Sequence, residues 1–285
     1  MKEVTGRRCS RWLVLAGGAL FLSALAVVFG SSVVTSAEAA GGSGDQVSTV
    51  ATSIRGTSLA DGGWRYDAVI PGGGSIHIIE KSLADGGCSA KATMTLGPDQ
   101  VGFRVDQDDD LGVCTVTPLA VGDAEAEESG GSSLEGSGSS SAAKAGVVTA
   151  STSHSAGYYK TWFEDPVHAD VNRVRNSINW YYNGSQVSSY TASHSYWWLS
   201  ESGWGLKEND FDYGFGTNHD WAYSNSYVHY KNGIFCALTD THVYYNRNKV
   251  RGYQNGTLWG HVDWTKSGNC SGMLHTHYSL VRTLN

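Results

Sequence analysis

Aromatic residues are concentrated in the second half of the chain, where many are neighbours in sequence. Residues 147–285 contain 8 Trp, 14 Tyr and 4 Phe, with doublets such as Trp180-Tyr181 and Trp197-Trp198. Successive side chains of a strand point to opposite faces of a sheet, so each doublet in a strand sends one ring outward. Exposed Trp and Tyr rings can stack on the C–H face of a sugar and hydrogen-bond through their polar tips. The pattern predicts a platform for a flat, apolar ligand, unless another part of the protein or a partner covers these rings.

Four tryptophans are the candidate ligand-binding residues: Trp197, Trp198, Trp204 and Trp221. If residues 195–199 form a strand, Trp197 and Trp198 lie on opposite faces, one in the core and one outward. Trp204 stands between two glycines, which predicts a loop that lifts its ring to the rim. Trp221 is expected in a neighbouring glycine-rich loop. Binding through these residues is the main functional hypothesis.

Catalytic residues cannot be assigned from the sequence. Glu164 and Asp165 are consecutive and would diverge on a strand, whereas the alternating acids of residues 208–212 are more typical of an acidic loop. The chain has no G-x-S-x-G, H-E-x-x-H or P-loop motif. His275 and His277 are spaced for zinc or copper, but no third ligand is identifiable. We predict no metal and no cofactor, and we favour a protein without enzymatic activity while leaving that question open.

The first 39 residues have the pattern of a signal peptide. Basic residues near the start precede an apolar run from Trp12 to Val34, and the small residues Ala37 and Ala39 fit a signal peptidase site. Cleavage is expected after Ala39; the alternative is an uncleaved anchor, because the run is long enough to span a bilayer. The pattern predicts a secreted or cell-surface protein with no membrane association after cleavage.

Charge argues against nucleic acid as a partner. The 285 residues include 20 Lys+Arg and 27 Asp+Glu, a formal net charge of −7. A nucleic-acid-binding protein needs a basic face for the phosphates. The expected partner is therefore an extracellular glycan or a surface protein.

Composition predicts an all-β chain made of two small antiparallel domains. Residues 40–121 form the first, residues 147–285 form a sandwich-like, aromatic-rich second domain, and the Gly/Ser/Glu-rich segment 122–146 is expected to be a disordered linker. Asn-Gly pairs predict hairpins over residues 178–190, 228–236 and 250–262. One helix is an alternative, beginning at Asp165-Pro166, with Val167, Val171, Val174 and Ile178 on its apolar side.

Four cysteines remain after the signal peptide: Cys88, Cys114, Cys236 and Cys270. An even number in an exported chain predicts disulfides. Because the linker separates the first two from the last two, local pairing is favoured, Cys88 with Cys114 and Cys236 with Cys270.

The second domain resembles secreted proteins of high-GC Gram-positive bacteria. The resemblance depends on three features: residues 159–166 (YKTWFEDP), Trp197-Trp198 followed by Gly203-Trp204, and the run ending at Cys236 (NGIFC). It covers only this domain and implies no activity. The leading hypothesis is a secreted binding protein for a glycan or surface partner; the alternatives are a secreted hydrolase of cell-wall or environmental polymer and an interbacterial protein-interaction factor.

Overall fold

The computed structural model describes residues 52–70, 73–107, 119–122, 136–144, 152–236 and 239–283. These residues form sixteen β-strands and three short 3-10 turns. The predicted all-β fold is therefore confirmed. Residues 1–39, with the predicted cleavage site at Ala39, lie outside the described residues. Within the described ranges no helix has the length and apolarity needed to cross a bilayer.

The strands, numbered in chain order, form two antiparallel sheets of eight. Sheet A has the spatial order β1 (Thr52–Ile54), β7 (Leu119–Gly122), β6 (Gly102–Gln107), β16 (His275–Thr283), β9 (Ser153–Glu164), β10 (Asp170–Tyr182), β11 (Val187–Trp198) and β8 (Gly136–Lys144). Sheet B has the order β12 (Trp204–Phe215), β13 (Trp221–Cys236), β14 (Thr239–Tyr253), β15 (Leu258–Gly268), β5 (Cys88–Leu96), β4 (Gly74–Ser82), β3 (Trp64–Ile70) and β2 (Thr57–Ser58).

The inner faces of the two sheets pack against each other through large aromatic side chains. Phe163 of sheet A meets Trp264 of sheet B edge to face, with ring centroids 5.3 Å apart. Tyr190 and Phe215 make a similar contact at 4.8 Å. Such edge-to-face pairs add to the free energy gained by burying the rings. The inner faces therefore form the core of a β-sandwich, and each sheet has one outer face.

A polar network lies at the centre of this core. Asn176 of β10 is within hydrogen-bond distance of Ser224 (2.9 Å), Ser226 (2.7 Å) and Asn248 (2.9 Å), all from sheet B. Thr161 donates to the Asn248 amide oxygen at 3.1 Å. All five side chains are buried. Because a buried polar group without a partner is costly, these bonds favour one alignment of the two sheets over its shifted alternatives.

Two of the three predicted hairpins are confirmed. Gly184 and Gly256 have φ of 86° and 82° in the turns that join β10 to β11 and β14 to β15. The third prediction is wrong, because β13 continues through Asn232-Gly233. There the buried Asn232 side chain accepts hydrogen bonds from the backbone N–H groups of Ile234 and Phe235, both at 2.8 Å. The Asn-Gly pair thus supports an irregular stretch of strand, where the register shifts, rather than a turn.

The alternative helix beginning at Asp165-Pro166 is not formed. Asp165 instead accepts hydrogen bonds from the backbone N–H groups of Val167 and Ala169, each at 3.0 Å, in the turn between β9 and β10. Val174 and Ile178, assigned to the apolar side of that helix, are buried in β10. Branched side chains favour the extended backbone, and positions four residues apart share a face in a strand as well as in a helix.

The described residues do not divide at the predicted domain boundary. Strand β5 pairs with β15 and β6 pairs with β16, so each sheet mixes strands from residues 40–121 and 147–285. The described residues of Val47–Asn285 belong to one compact unit. Within the predicted linker, residues 136–144 form β8, which pairs with β11. This serine-rich strand needs only backbone hydrogen bonds at the edge of the sheet, so its composition does not prevent pairing.

One predicted disulfide is present. Cys236 and Cys270 are bonded, with 5.7 Å between their Cα atoms, and they join the end of β13 to the segment before β16. Cys88 is also disulfide-bonded. Cys114 lies outside the described residues, so its predicted pairing with Cys88 stays a prediction.

Candidate ligand-binding face

Five residues at alternate positions of β13, β14 and β15 form a surface on the outer side of sheet B, here called the aromatic face: Trp221, Tyr223, Arg251, Tyr253 and Trp259. Their strand neighbours Ala222, Gly252 and Leu258 point into the sandwich and are buried. All five members of the aromatic face are partly exposed. The alternation of the three strands therefore places four rings and one guanidinium on a single face.

Strand register brings these side chains into two adjacent rows. Arg251 stands opposite Tyr223 on one side and Trp259 on the other, and Tyr253 stands opposite Trp221. Since neighbouring strands are about 4.8 Å apart, the row from Tyr223 to Trp259 spans about 10 Å. The Trp221 and Tyr253 ring centroids are 5.9 Å apart. The rings thus form a connected surface rather than isolated exposed side chains.

Arg251 joins the rings of the aromatic face. The carbon of its guanidinium lies 4.3 Å from the Trp259 ring centroid and 5.2 Å from that of Trp221. Cation–π contacts of this kind are worth about 0.5–1 kcal/mol each at exposed sites. They hold the rings in place before a ligand arrives, which reduces the entropy lost on binding.

Gly214 near the end of β12 and Gly216 directly after it provide the space for two of these rings. A Cβ atom on Gly216 would lie 2.0 Å from Trp221 Cε2, and one on Gly214 would lie 3.0 Å from Tyr223 Cε1. The Trp221 ring therefore rests directly on the Gly216 backbone. The glycine-rich stretch seen in the sequence is needed for this close approach, not for a mobile loop.

Basic side chains continue from the aromatic face along β14. Lys249 Nζ lies 3.9 Å from the Tyr223 ring centroid, and Arg247 is exposed two residues further. Burial, together with repulsion from Arg251 and Arg247, lowers the pKa of Lys249 to about 8. Its neighbour His261 stacks on Trp259 with the planes 7° apart. Burial and the charge of Arg247 lower the pKa of His261 to about 4, so this ring is neutral at pH 7.

A second group of rings lies further along the same outer face. His229 and Tyr244 stack with centroids 4.1 Å apart, and His229 Nε2 is 3.0 Å from His242 Nδ1. Burial is the main cause that lowers the pKa of both histidines, so both are neutral at pH 7 and one can donate to the other. This group extends the stacking surface of sheet B by three rings.

Of the four predicted tryptophans, Trp221 is the one that joins the aromatic face. It lies at the start of β13, directly after a 3-10 turn, rather than in the predicted loop. Trp204 is the main correction: it begins β12 and is only 3% exposed, packed against Phe235 with ring centroids 6.1 Å apart. The glycines on either side do not lift its ring to a rim, because the alternation of β12 points it into the core.

Trp197 and Trp198 lie on opposite faces of sheet A, as their adjacency in β11 requires. Trp198 packs against the core, with its ring centroid 6.3 Å from that of Tyr230. Trp197 is on the outer side but is only 8% exposed. The Arg173 guanidinium lies over it, 5.0 Å from the ring centroid. The outward member of this pair is therefore covered by a neighbouring side chain.

A charged cluster surrounds His277 on the outer side of sheet A. His277 Nδ1 is 2.6 Å from Asp106 Oδ1, and His277 Nε2 is 3.4 Å from Glu164 Oε1. The imidazole also stacks on Trp162, with centroids 5.0 Å apart. Burial disfavours the charged form of each group in this cluster and by itself would lower the pKa of His277. The contacts with the two carboxylates outweigh burial and raise the pKa of His277. In return, His277 lowers the pKa of Glu164 to about 2 and also lowers that of Asp106.

The other acidic candidates do not converge on a cleft. Glu208, Asp210 and Asp212 are exposed on β12, which makes them part of a strand and not of the predicted loop. Glu164 and Asp165 diverge as expected, since one joins the His277 cluster and the other closes a turn. His275 and His277 are on one strand at the predicted spacing, but no group of three potential metal ligands occurs in the part of the chain that the structure describes.

Sequence reasoning missed four members of the aromatic face: Tyr223, Arg251, Tyr253 and Trp259. The alternation of Trp221, Ala222, Tyr223 and Ser224 could have found Tyr223, and the alternation of Arg251, Gly252 and Tyr253 could have found two of the others. Adjacent aromatic residues are a different pattern and do not indicate these positions. Comparison of the chain with protein-family models, with curated proteins and with solved structures finds no match.

Proposed function

We propose that this protein is exported and binds an extracellular glycan through the aromatic face. The observation that carries the proposal is the row of partly exposed rings held in register across β13, β14 and β15. Contiguous patches of exposed apolar side chains usually mark binding sites. Rings that lie on a flat sheet suit a ligand that is itself flat and offers both C–H and O–H groups, as a pyranose does.

The pre-arrangement of the rings supports binding rather than a purely structural role. Trp221 lies against the Gly216 backbone, and Trp259 is held between Arg251 and His261. Neither ring has to be ordered when a ligand arrives, so little conformational entropy is lost.

Affinity electrophoresis against a panel of soluble neutral and charged polysaccharides tests the proposal. We expect retardation by at least one polymer, and we expect Trp259→Ala and Trp221→Ala to reduce it while the protein stays folded. Tyr181→Ala is the matched control, because Tyr181 is 39% exposed but lies on sheet A. Equal loss in all three variants, or no retardation by any polymer, would contradict the proposal.

Hydrolysis of a polymer is a second candidate, favoured by one observation. Burial raises the pKa of Asp170, with repulsion from its register partner Glu164 adding to the effect, while the pKa of Glu164 is about 2. Opposed shifts in neighbouring carboxylates are typical of acid–base pairs. The Glu164 side chain is only 13% exposed and is engaged by His277, which favours a structural role. Release of reducing ends by the wild-type protein, abolished in Glu164→Gln, would reverse this preference.

A further inference from the structure

Three cations on the outer side of β14 lack carboxylate partners. Among the described residues, no Asp or Glu oxygen lies within 4.0 Å of a side-chain nitrogen of Arg247, Lys249 or Arg251. Other basic residues of the same sheet are paired: Lys91 is 3.7 Å from Asp263, and Lys231 is 2.7 Å from Asp240. Lys207 of β12 also lacks an ion pair among the described residues, but β14 is where three such cations stand in one row beside the rings.

The carboxylates that face this strand are engaged elsewhere. Asp212 accepts a hydrogen bond from the Tyr223 hydroxyl at 3.1 Å. Asp263 stands opposite Arg247 in the register, but its ion pair is with Lys91. Asp212 keeps its charge and raises the pKa of Lys249, but this effect is smaller than those of burial, Arg251 and Arg247, so the positive charge next to the rings is only partly compensated.

Resting on the proposed function, we infer that the ligand of the aromatic face is a glycan that carries carboxylate groups, a polyuronide. Its sugar rings lie on Trp259 and Trp221, and its carboxylates meet Arg247, Lys249 and Arg251. A guanidinium presents a planar set of donors that matches a carboxylate, and Arg is weakly hydrated, so such a contact forms at low desolvation cost. A neutral glycan would offer no negative group to the three cations of β14.

The test compares polygalacturonate with its methyl ester, which has the same backbone without the negative charge. Isothermal titration calorimetry is performed with the wild-type protein in about 0.05 M and about 0.5 M NaCl. We expect at least tenfold tighter binding to the acid than to the ester at low salt. That preference decreases at high salt, because the Debye length falls well below 10 Å.

Variants separate the cations from the rings. Arg247→Gln/Lys249→Gln weakens binding to the acid by about fivefold, since surface charge contacts are individually modest, and has a smaller effect on binding to the ester. If the double variant fails to fold, Arg247→Gln alone is used instead. Its position is exposed, and we expect a smaller loss of binding to the acid. Lys91→Gln is the matched control: it removes one positive charge from the same sheet, but a paired one, and keeps full preference for the acid.

The outcomes distinguish the two proposals. Equal affinity for acid and ester overturns the polyuronide inference and leaves glycan binding intact. No binding to polygalacturonate also overturns it, and the neutral polymers of the panel then decide the proposed function. An equal effect of Lys91→Gln and Arg247→Gln/Lys249→Gln would mean that net charge, and not the β14 cations, causes the preference.

Discussion

Substitution of Glu164 by Gln tests the physical account of the His277 cluster. The pKa of Glu164 is about 2 against an ordinary value of 4.5, because the hydrogen bond and charge of His277 outweigh the effect of burial. Each tenfold change in acidity corresponds to about 1.4 kcal/mol, so ionised Glu164 contributes about 3 kcal/mol to folding. The side chain is 13% exposed, so little of this is lost to solvent screening.

The sign of the pH dependence follows from the direction of each shift. A lowered carboxyl pKa gives stability that is present above pH 4.5 and is lost as the pH falls towards 2. The raised pKa of His277 gives stability that is present below pH 6.5 and is lost as the pH rises through the higher folded value. The wild-type protein should exceed Glu164→Gln by about 3 kcal/mol near pH 6, where both groups are charged.

Urea unfolding followed by tryptophan fluorescence measures this difference from pH 3.5 to pH 6. We expect it to be constant above pH 4.5 and to decrease steadily below that value. Glu201→Gln is the control, since Glu201 is exposed in the turn between β11 and β12. A difference that does not change with pH would mean that packing, not charge, is responsible. No difference at pH 6 would refute the reasoning outright.

Three further predictions concern the tryptophans and the aromatic face. Trp204→Ala should lower the free energy of unfolding by roughly 3–5 kcal/mol, because its ring is buried, and a loss below about 1 kcal/mol in urea unfolding would contradict its placement. Gly216→Ala should displace the Trp221 ring, since the new Cβ would lie 2.0 Å from it, and should weaken glycan binding; unchanged calorimetric affinity would exclude this contact. Affinity for polygalacturonate should fall as the pH rises through about 8, where Lys249 loses its proton, and Lys249→Gln should remove that dependence; an identical pH profile in wild type and variant would count against Lys249.

Local features of the fold could be predicted from the sequence, whereas its long-range pairing could not. Asn183-Gly184 and Asn255-Gly256 define hairpins because the turn itself needs positive φ at glycine. No local pattern indicates that β5 pairs with β15, across more than 160 residues, or that the serine-rich segment 136–144 completes the edge of sheet A. These pairings depend on backbone groups that every residue has.

The outward orientation of the aromatic face is the opposite of the usual pattern, in which large apolar side chains of a strand point inward and small polar ones point outward. In β13 the inward positions include Ser224 and Ser226, and the outward positions include Trp221 and Tyr223. Small side chains suffice inside because Asn176 fills the adjacent space and is within hydrogen-bond distance of both serine hydroxyls. Sequence alone gives the alternation but not which set points inward, since that choice depends on the opposite sheet.

The most direct test of the central claim is the ¹⁵N–¹H spectrum of the tryptophan indoles during titration with a polysaccharide that the protein binds. Glycan binding at the aromatic face predicts that the indole signals of Trp221 and Trp259 move with increasing ligand, while those of the buried Trp180 and Trp264 stay in place. Movement confined to Trp162 and Trp197 on sheet A, with Trp221 and Trp259 unchanged, would contradict the account.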